Sequence, residues 1–287
     1  MTGRPPLNKD TTVCISLAAR PSNIGTRFHN YLYDELGLDF LYKAFTTTDI
    51  AGAIGGVRAL GIRGCSVSMP FKKAVMSLVD EIEPSAAAID AVNTIVNDLS
   101  VPGGRLTASN TDYLAVQLLI DRHGLDCGDT VLIQGSGGMA NAVGAAFRDN
   151  GFHRGVVVAR NRQTGAALAD RLGYDYAPEV GDHTAPVLVN VTPIGMAGGP
   201  DERRSAFDAA TIAAARTVFD VVALPAETPL IAAARAAGVG VITGAEAIAL
   251  QAAEQFQRYT GVRPSAAQVA AASEYSRSSR GPDGLSG

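Results

Sequence analysis

The chain contains no tryptophan and few of the residues that form disulfides or bind metals. Its three cysteines, Cys14, Cys65 and Cys127, are an odd number, lie far apart and include no CxxC pair. This pattern favours free thiols in a reducing cytosol over a disulfide framework. The four histidines are scattered without the spacing of zinc ligands, so no metal site is expected.

Long apolar runs and blocks of like charge are also missing. No stretch reaches the roughly 18 apolar residues that a membrane-spanning helix needs, and the N-terminus lacks a hydrophobic signal region. The net charge is −4 without any basic cluster, which argues against nucleic acid as the main partner. We expect a cytoplasmic protein, monomeric or homodimeric, with loose termini at residues 1–10 and 276–287.

The length of 287 residues suits about two domains, and strand and helix patterns alternate along most of it. The patterns in residues 11–109 predict strands at 12–17, 40–46 and 62–69, helices at about 26–36 and 48–60, a helix from about Phe71, and a hairpin formed by 93–96 and 106–108. Glycines at 103 and 104 mark the turn of that hairpin.

Residues 110–243 repeat the alternation, with apolar, β-branched strands near 130–134, 156–160, 186–192, 217–223 and 239–243. Such strands are typical of a parallel sheet that is covered on both faces. Residues 244–275 are predicted to form two more helices. We therefore predict an α/β protein with a discontinuous substrate-binding domain (11–109 and 244–275), a Rossmann-like domain (110–243) and a cleft between them.

A glycine-rich turn follows the first strand of the second region. It consists of Gly135, Ser136, Gly137, Gly138, Met139 and Ala140. Small residues there let the backbone approach a pyrophosphate, which the N–H groups and the dipole of the next helix attract. Glycine also occurs in ordinary tight turns, but the strand–turn–helix context favours a dinucleotide site.

Two later strand ends extend the predicted cofactor site. The strand near 156–160 ends in Arg160 and Asn161 instead of the acidic residue typical of NAD sites. Arginine can pair with a 2′-phosphate, so NADP is favoured over NAD, with a solvated positive loop as the alternative. The strand near 186–192 leads into Thr192, Pro193 and Met196, which either line the nicotinamide pocket or form a structural loop.

Lys72 and Asp112 each follow a predicted strand. A lysine and a carboxylate near a dinucleotide suit alcohol–carbonyl redox chemistry, because the lysine can exchange the hydroxyl proton and the carboxylate can orient the lysine. Taken alone, each could equally be a helix cap or a surface charge.

Several motifs occur together: SVSMPFK at 66–72, AVNT at 91–94, NTD at 110–112, the glycine turn, NVTPIGM at 190–196 and LQA at 250–252. Their order and spacing resemble the shikimate dehydrogenases over roughly residues 13–270. The segments at 64–72 and 219–223 are similar, more narrowly, to the shikimate dehydrogenase-like branch of that family.

The resemblance implies that Lys72 and Asp112 are a catalytic pair for the reversible, NADP-linked oxidation of shikimate to 3-dehydroshikimate. It implies substrate contacts for Ser68, Asn93 and Gln251, the last two to ring hydroxyls. It further implies cofactor contacts for the residues that follow the last two strands, Val221 and Gly244. The cofactor accepts the hydride, so no metal is required.

The chain departs from the family pattern where the substrate carboxylate is held. The two serines of the family correspond to Asn23 and Gly25, so carboxylate contacts are expected to shift to Ser22, Asn23 and Thr26. A tyrosine of the family is replaced by Ala223. Each lost hydrogen bond to a charged group removes about 1–3 kcal/mol, so we predict a slow shikimate dehydrogenase or one that prefers a relative of shikimate.

Two alternatives stay open at this stage. A quinate or aminoshikimate dehydrogenase would be expected to use NAD, and Arg160 argues against it. A non-catalytic regulatory protein of the same fold has no need of both Lys72 and Asp112. The expected ligand of the enzyme is a small cyclohexene carboxylate.

Overall fold

The computed structural model describes residues 3–278, which fall into two compact units. The first unit consists of the described residues up to Thr111 and from Ala249 onward, and the second is Asp112–Ile248. Most of the C-terminal segment that was expected to be loose, residues 279–287, lies outside the described residues, as do residues 1–2.

The strands in chain order are β1 (Thr12–Ala18), β2 (Phe40–Thr46), β3 (Gly64–Val67), β4 (Glu81–Ile82), β5 (Thr94–Asp98), β6 (Arg105–Ser109), β7 (Val131–Gln134), β8 (Gly155–Val158), β9 (Asp175–Ala177), β10 (Val187–Asn190), β11 (Thr217–Asp220) and β12 (Gly240–Thr243). The helices are α1 (Ile24–Glu35), α2 (Ile50–Ala59), α3 (Pro84–Ala87), α4 (Thr111–Arg122), α5 (Gly138–Asp149), α6 (Arg162–Leu172), α7 (Ala209–Ala213), α8 (Pro229–Ala236), α9 (Gly244–Thr260) and α10 (Ala266–Arg277).

The first unit contains a mixed sheet of order β2-β1-β3-β5-β6-β4, in which β5 is antiparallel to both of its neighbours. Apolar residues cover both faces of this sheet. Consecutive residues of a strand point to opposite faces, and accordingly Cys14 and Ile15 of β1 belong to two different buried clusters. The predicted strands β1 and β2 and the β5–β6 hairpin are confirmed.

Four strand ends lie on the same side of this sheet. They are the carboxyl ends of β1, β3 and β6 and the beginning of the antiparallel strand β5. The register is fixed by backbone hydrogen bonds from Val67 N to Asn93 O (2.8 Å) and from Asn93 N to Ser109 O (3.1 Å). We call this side of the first sheet the polar edge; it comprises residues 19–26, 68–73, 93 and 110–111.

The second unit contains an entirely parallel sheet of order β12-β11-β10-β7-β8-β9. The strand order reverses between β7 and β10, and ligands of such sheets bind beyond the carboxyl ends of the strands at this point. The predicted Rossmann-like arrangement is confirmed.

Some local expectations were wrong. The segment after Phe71 is a turn followed by a 3₁₀ helix at Ala74–Leu78 instead of an α-helix, since Asp80 N already bonds to Leu106 O at 3.0 Å and draws the chain into β4. Strands β4 and β9 were not predicted, because two or three residues at a sheet edge carry no periodic pattern.

Both termini are more ordered than expected where they are described. Arg4 donates to Asn30 Oδ1 (3.0 Å) and to Phe40 O (3.1 Å) and pairs with Asp34 (3.2 Å), which fixes the N-terminal arm against α1 and β2. At the other end, α10 continues to Arg277.

Candidate active site

The turn that follows β3 carries Lys72. Phe71 N bonds to Ser68 O at 3.0 Å, and Val92 N donates to Lys72 O at 2.8 Å. These bonds fix the lysine backbone beside the residue that precedes Asn93. The Lys72 side chain is half-buried, whereas the neighbouring Lys73 is exposed and pairs with Asp90. Ser68, a predicted substrate contact, is exposed at the polar edge.

Asn93 is the centre of a buried hydrogen-bond network. Its Oδ1 accepts from the backbone N–H of Thr111 (2.8 Å) and from the hydroxyls of Thr94 (2.8 Å) and Thr111 (3.1 Å). Because a backbone N–H can only donate, this contact fixes which atom of the amide is the oxygen. No bond to a described residue uses the Asn93 Nδ2, which leaves that atom as a donor.

Gln251 joins the same network from α9. Its Nε2 donates to Thr111 Oγ1 at 2.9 Å. The Thr111 hydroxyl can give its proton to Asn93, so it can accept from Gln251, which leaves the Gln251 Oε1 as an acceptor. The structure therefore brings together two predicted substrate contacts, Asn93 and Gln251, through Thr111, which was not among the predicted contacts.

Asp112 directly follows Thr111 and lies in the first turn of α4, where it is half-buried. A negative charge is favoured at a helix N-terminus. The preceding Asn110 is buried, donates from Nδ2 to Ala91 O at 2.9 Å and donates its backbone N–H to Ser85 Oγ at 3.1 Å, which holds the strand end that leads to Asp112.

The segment from Ser22 to Thr26 leads from β1 into α1 at the polar edge. Ser22 and Asn23 are exposed, and Asn23 occupies the N-cap position of α1 without a side-chain capping bond. The Thr26 Oγ1 is buried and has no hydrogen-bond partner among the described residues. These polar groups are therefore not needed to hold the fold.

The glycine turn of the second unit fits a pyrophosphate. Gly137 is the N-cap of α5 and offers no side-chain acceptor to the first N–H groups of the helix. A Cβ at Gly137 or Gly138 would meet no heavy atom within 4 Å, so open space lies above this helix start. Ser136 bonds to Thr164 of α6 at 2.7 Å, Met139 is half-buried, and Ala140 is fully buried.

Glycine is required at position 135 for a structural reason, unlike at positions 137 and 138. Its φ of +127° lies outside the range that other residues adopt easily, and a Cβ would stand 2.8 Å from Val191 Cγ2. The close approach of the β7 and β10 strand ends therefore requires glycine here.

The end of β8 presents two exposed guanidinium groups. Arg160 and Arg162 have no ion-pair partner within residues 3–278. Between them, Asn161 caps α6 by accepting from Thr164 N at 3.2 Å. Asn161 thus has a role in the helix, while the arginines are available to an anionic ligand. Arg162 was not among the predicted cofactor residues, although it stands in the same Arg-Asn-Arg motif.

Buried polar residues hold the loop after β10. Asn190 Oδ1 accepts from the Thr192 backbone N (3.0 Å) and hydroxyl (2.6 Å), and its Nδ2 donates to Asp220 Oδ1 at 3.0 Å. Burial raises the pKa of Asp220, which also accepts from Thr228 Oγ1 at 2.6 Å. This arrangement leaves Pro193 and Met196 exposed at the end of β10.

Close packing requires a glycine at position 244. A Cβ at Gly244 would lie 2.4 Å from Val221 O and 2.5 Å from Val222 C, so the start of α9 presses directly on the backbone after β11. Val221 N in turn bonds to Asn190 O at 3.0 Å. The structure places both at the carboxyl side of the parallel sheet.

No helix among residues 3–278 combines the length and the apolar character that crossing a membrane would require.

The second unit has the doubly wound sheet and the glycine turn of a dinucleotide-binding domain. Together with the separate α/β unit that carries the polar edge, it defines the class of two-unit, dinucleotide-dependent enzymes. Residues 23–95 match the family model of the shikimate dehydrogenase substrate binding domain. The chain is 55% identical over 271 residues to a shikimate dehydrogenase-like protein of Haemophilus influenzae, which covers 94% of this chain and 98% of that protein. The chain belongs to the shikimate dehydrogenase family.

Two solved structures share its fold. One is a shikimate 5-dehydrogenase of Thermus thermophilus in complex with NADP(H) and shikimate, with a TM-score of 0.80, 28% identity, and coverage of 92% of this chain and 99% of that chain. The other is a quinate dehydrogenase of Corynebacterium glutamicum in complex with NAD, with a TM-score of 0.83, 27% identity, and coverage of 92% and 98%. Proteins that share this fold thus differ in substrate and cofactor.

Proposed function

We propose that this protein is an NADP-dependent oxidoreductase that interconverts the ring hydroxyl of shikimate, or of a preferred close relative, with the corresponding ketone. The observation that carries the proposal is the gathering of Lys72, Asn93 and Thr111 at the polar edge of the first sheet, with Asp112 as the next residue. Membership of the shikimate dehydrogenase family supports it.

In this proposal Lys72 and Asp112 handle the proton of the reacting hydroxyl. NADP, when bound, supplies the acceptor for the hydride. During oxidation the Lys72 amine accepts the proton of the reacting hydroxyl, and during reduction the resulting ammonium returns that proton to the carbonyl oxygen. Asp112 orients the lysine and balances its charge.

Asn93 and Gln251 would recognise the other ring hydroxyls. Asn93 Nδ2 is left as a donor and Gln251 Oε1 as an acceptor once their bonds to Thr111 are counted. A hydroxyl can satisfy both at once, whereas a methylene can satisfy neither. This pair would therefore select a polyhydroxylated ring.

The segment expected to hold the substrate carboxylate supports a lower turnover of shikimate or a preference for a related substrate. Ser22 and Asn23 are the exposed polar side chains that segment offers, whereas the Thr26 Oγ1 is buried and Gly25 offers no polar group. Ala223 likewise presents a methyl group. Fewer donors to the substrate should reduce transition-state stabilisation, by about 1–3 kcal/mol for each lost bond to a charged group.

The cofactor preference rests on Arg160, to which the structure adds Arg162. Two exposed guanidinium groups without ion-pair partners among residues 3–278 suit a 2′-phosphate, and open space at Gly137 and Gly138 suits the pyrophosphate. These groups speak against the NAD-linked quinate alternative. A non-catalytic regulatory protein would not need both Lys72 and Asp112.

The test is a kinetic panel of shikimate, quinate and dehydroshikimate with NADP and NAD. Lys72→Ala and Asp112→Asn should lower turnover of the best substrate by about 100-fold or more, the range of general acid–base catalysis, with NADP affinity nearly unchanged. Lys73→Ala is the matched control, since Lys73 is exposed and pairs with Asp90. Full turnover in Lys72→Ala would refute the role of Lys72, and absence of turnover in the whole panel would refute the proposed substrate class.

A further inference from the structure

Gln255 is a buried amide that the mechanism above does not use. It lies one turn after Gln251 on α9, with only 4% of its surface exposed. Its Nε2 lies 3.0 Å from Thr94 Oγ1, 3.3 Å from Ser66 Oγ and 3.3 Å from Asn93 O. A buried carboxamide is costly unless it is hydrogen-bonded, so its donor group has to be directed at these acceptors.

The acceptors of Gln255 belong to the layer directly behind the polar edge. Ser66 lies in β3, Thr94 begins β5, and Asn93 is the residue in front of β5. A hydroxyl that accepts from Gln255 has its own proton free for another partner. For Thr94 this partner is Asn93 Oδ1, at 2.8 Å.

The Thr94 hydroxyl adds to the hold on Asn93. Asn93 Oδ1 accepts from the backbone N–H of Thr111 and from the Thr94 hydroxyl at 2.8 Å each, while the Thr111 hydroxyl is more distant at 3.1 Å. With its oxygen engaged in this way, the carboxamide offers a ligand its Nδ2 donor. Without Gln255, the Thr94 hydroxyl could turn away, since Thr111 Oγ1 lies within 3.2 Å as a second partner.

We propose that Gln255 is a positioning residue for substrate recognition, which acts through Thr94 to hold Asn93 as a hydrogen-bond donor toward a ring hydroxyl. The proposal deepens the function proposed above and rests on it. Gln251 and Gln255 then have separate tasks on one helix: Gln251 offers an acceptor to the substrate, and Gln255 sets the orientation of the donor.

The first test is Gln255→Met, which keeps the length of the side chain and removes its donor. The KM for the ring substrate should rise about tenfold, the cost of roughly one hydrogen bond, with a smaller change in kcat and an unchanged KM for NADP. Gln257→Met on the same helix is the matched control, because Gln257 is only half-buried and its side chain bonds to Arg263.

A double-mutant cycle separates positioning from bulk packing. In an Asn93→Ala background, Gln255→Met should produce no further rise in the KM for the ring substrate, since the group it positions is gone. An equal rise in both backgrounds, or a rise in the KM for NADP of the same size, would overturn the proposal. Lys72→Ala in the same assay reports on the proposed function independently of this result.

Gln255→Glu tests the proposal even if the Gln255→Met variant folds poorly. A carboxylate cannot donate to Thr94, but the protonated acid can. The side chain of His29 faces Gln255, so the comparison is made in a His29→Phe background. There the KM of Gln255→Glu for the ring substrate should fall toward the value of the background as the pH is lowered, while Gln255→Met shows no such trend. A pH profile of Gln255→Glu parallel to that of the background would contradict the positioning role.

Discussion

Asn93 Oδ1 accepts the backbone N–H of Thr111 at 2.8 Å, which ties the start of β5 to the start of α4. The first N–H groups of a helix have no partner within the helix, and here the side chain of a neighbouring strand end supplies one. The contact also brings a candidate substrate residue next to the position that precedes Asp112. Fold stability and the proposed substrate recognition therefore share one amide.

Asn93→Ala should lower the free energy of unfolding by about 1–3 kcal/mol, because the Thr111 N–H and the Thr94 hydroxyl lose a buried acceptor. Urea denaturation followed by circular dichroism measures this change. Asn8→Ala, at an asparagine of the same unit whose side-chain hydrogen bonds are all exposed to solvent, should lower the stability by less than Asn93→Ala does. Equal stability of both variants would contradict the role assigned to the Asn93–Thr111 bond.

Replacement of Arg160 and Arg162 by glutamine should reduce the affinity for NADP without reducing the affinity for NAD, since only NADP carries the 2′-phosphate. The expected loss for each arginine is about tenfold, because both side chains are exposed and their contacts are screened by solvent. Fluorescence titration of the reduced cofactors measures it.

Arg235→Gln is the control for this experiment, since Arg235 is an exposed arginine of the same unit that pairs with Glu227. A parallel loss of NAD and NADP affinity in the Arg160 variant would show that this arginine does not read the 2′-phosphate.

Substitutions of two glycines in the same turn should have different effects, one on stability and the other on NADP binding. Gly135→Ala should destabilise the second unit by about 1–3 kcal/mol, because of the φ of +127° and the clash with Val191. Gly138→Ala should leave the melting temperature nearly unchanged, since its Cβ would meet nothing within 4 Å, and should weaken NADP binding instead. Thermal melts with and without NADP distinguish the two, and normal NADP binding by Gly138→Ala would place the pyrophosphate elsewhere.

His29 should make the protein sensitive to acid. Its ring is fully buried and stacks on Tyr42 with centroids 4.3 Å apart, and burial lowers the pKa of His29 to about 3 from 6.5. Between these values the unfolded chain binds a proton that the folded chain does not. The stabilisation that the neutral, buried His29 provides is intact above pH 6.5. Below this value the free energy of unfolding falls by up to about 1.4 kcal/mol per pH unit as the pH decreases toward 3.

Replacement of His29 by phenylalanine should therefore flatten the acid limb of stability, measured as the urea midpoint at about pH 7.5 and at about pH 5. His153→Gln, at an exposed histidine, is the control for the loss of a histidine. An unchanged slope in His29→Phe would mean that other groups govern the acid limb.

Long periodic elements and turn residues could be predicted from local sequence. Strand β2 has the predicted bounds, Gly103 and Gly104 both have the positive φ that the hairpin turn requires, and Asp49 caps α2 by accepting from Gly52 N at 2.9 Å. Strand β4 and the 3₁₀ helix at Ala74–Leu78 could not be predicted, since pairing with β6 decides them and their own residues do not.

The sequence by itself determined the α/β class, the glycine turn and the order of polar motifs, because these depend on residue type and spacing along the chain. Only the tertiary structure decided which polar residues meet. Gln255 and Thr111 resemble ordinary helix residues in the sequence, yet burial beside Asn93 makes them parts of one network. Likewise Asp220 becomes a buried partner of Asn190 only through the pairing of β10 with β11. The reason is physical: hydrogen-bond partners are chosen by distance in space, and the fold brings together residues that are far apart in the chain.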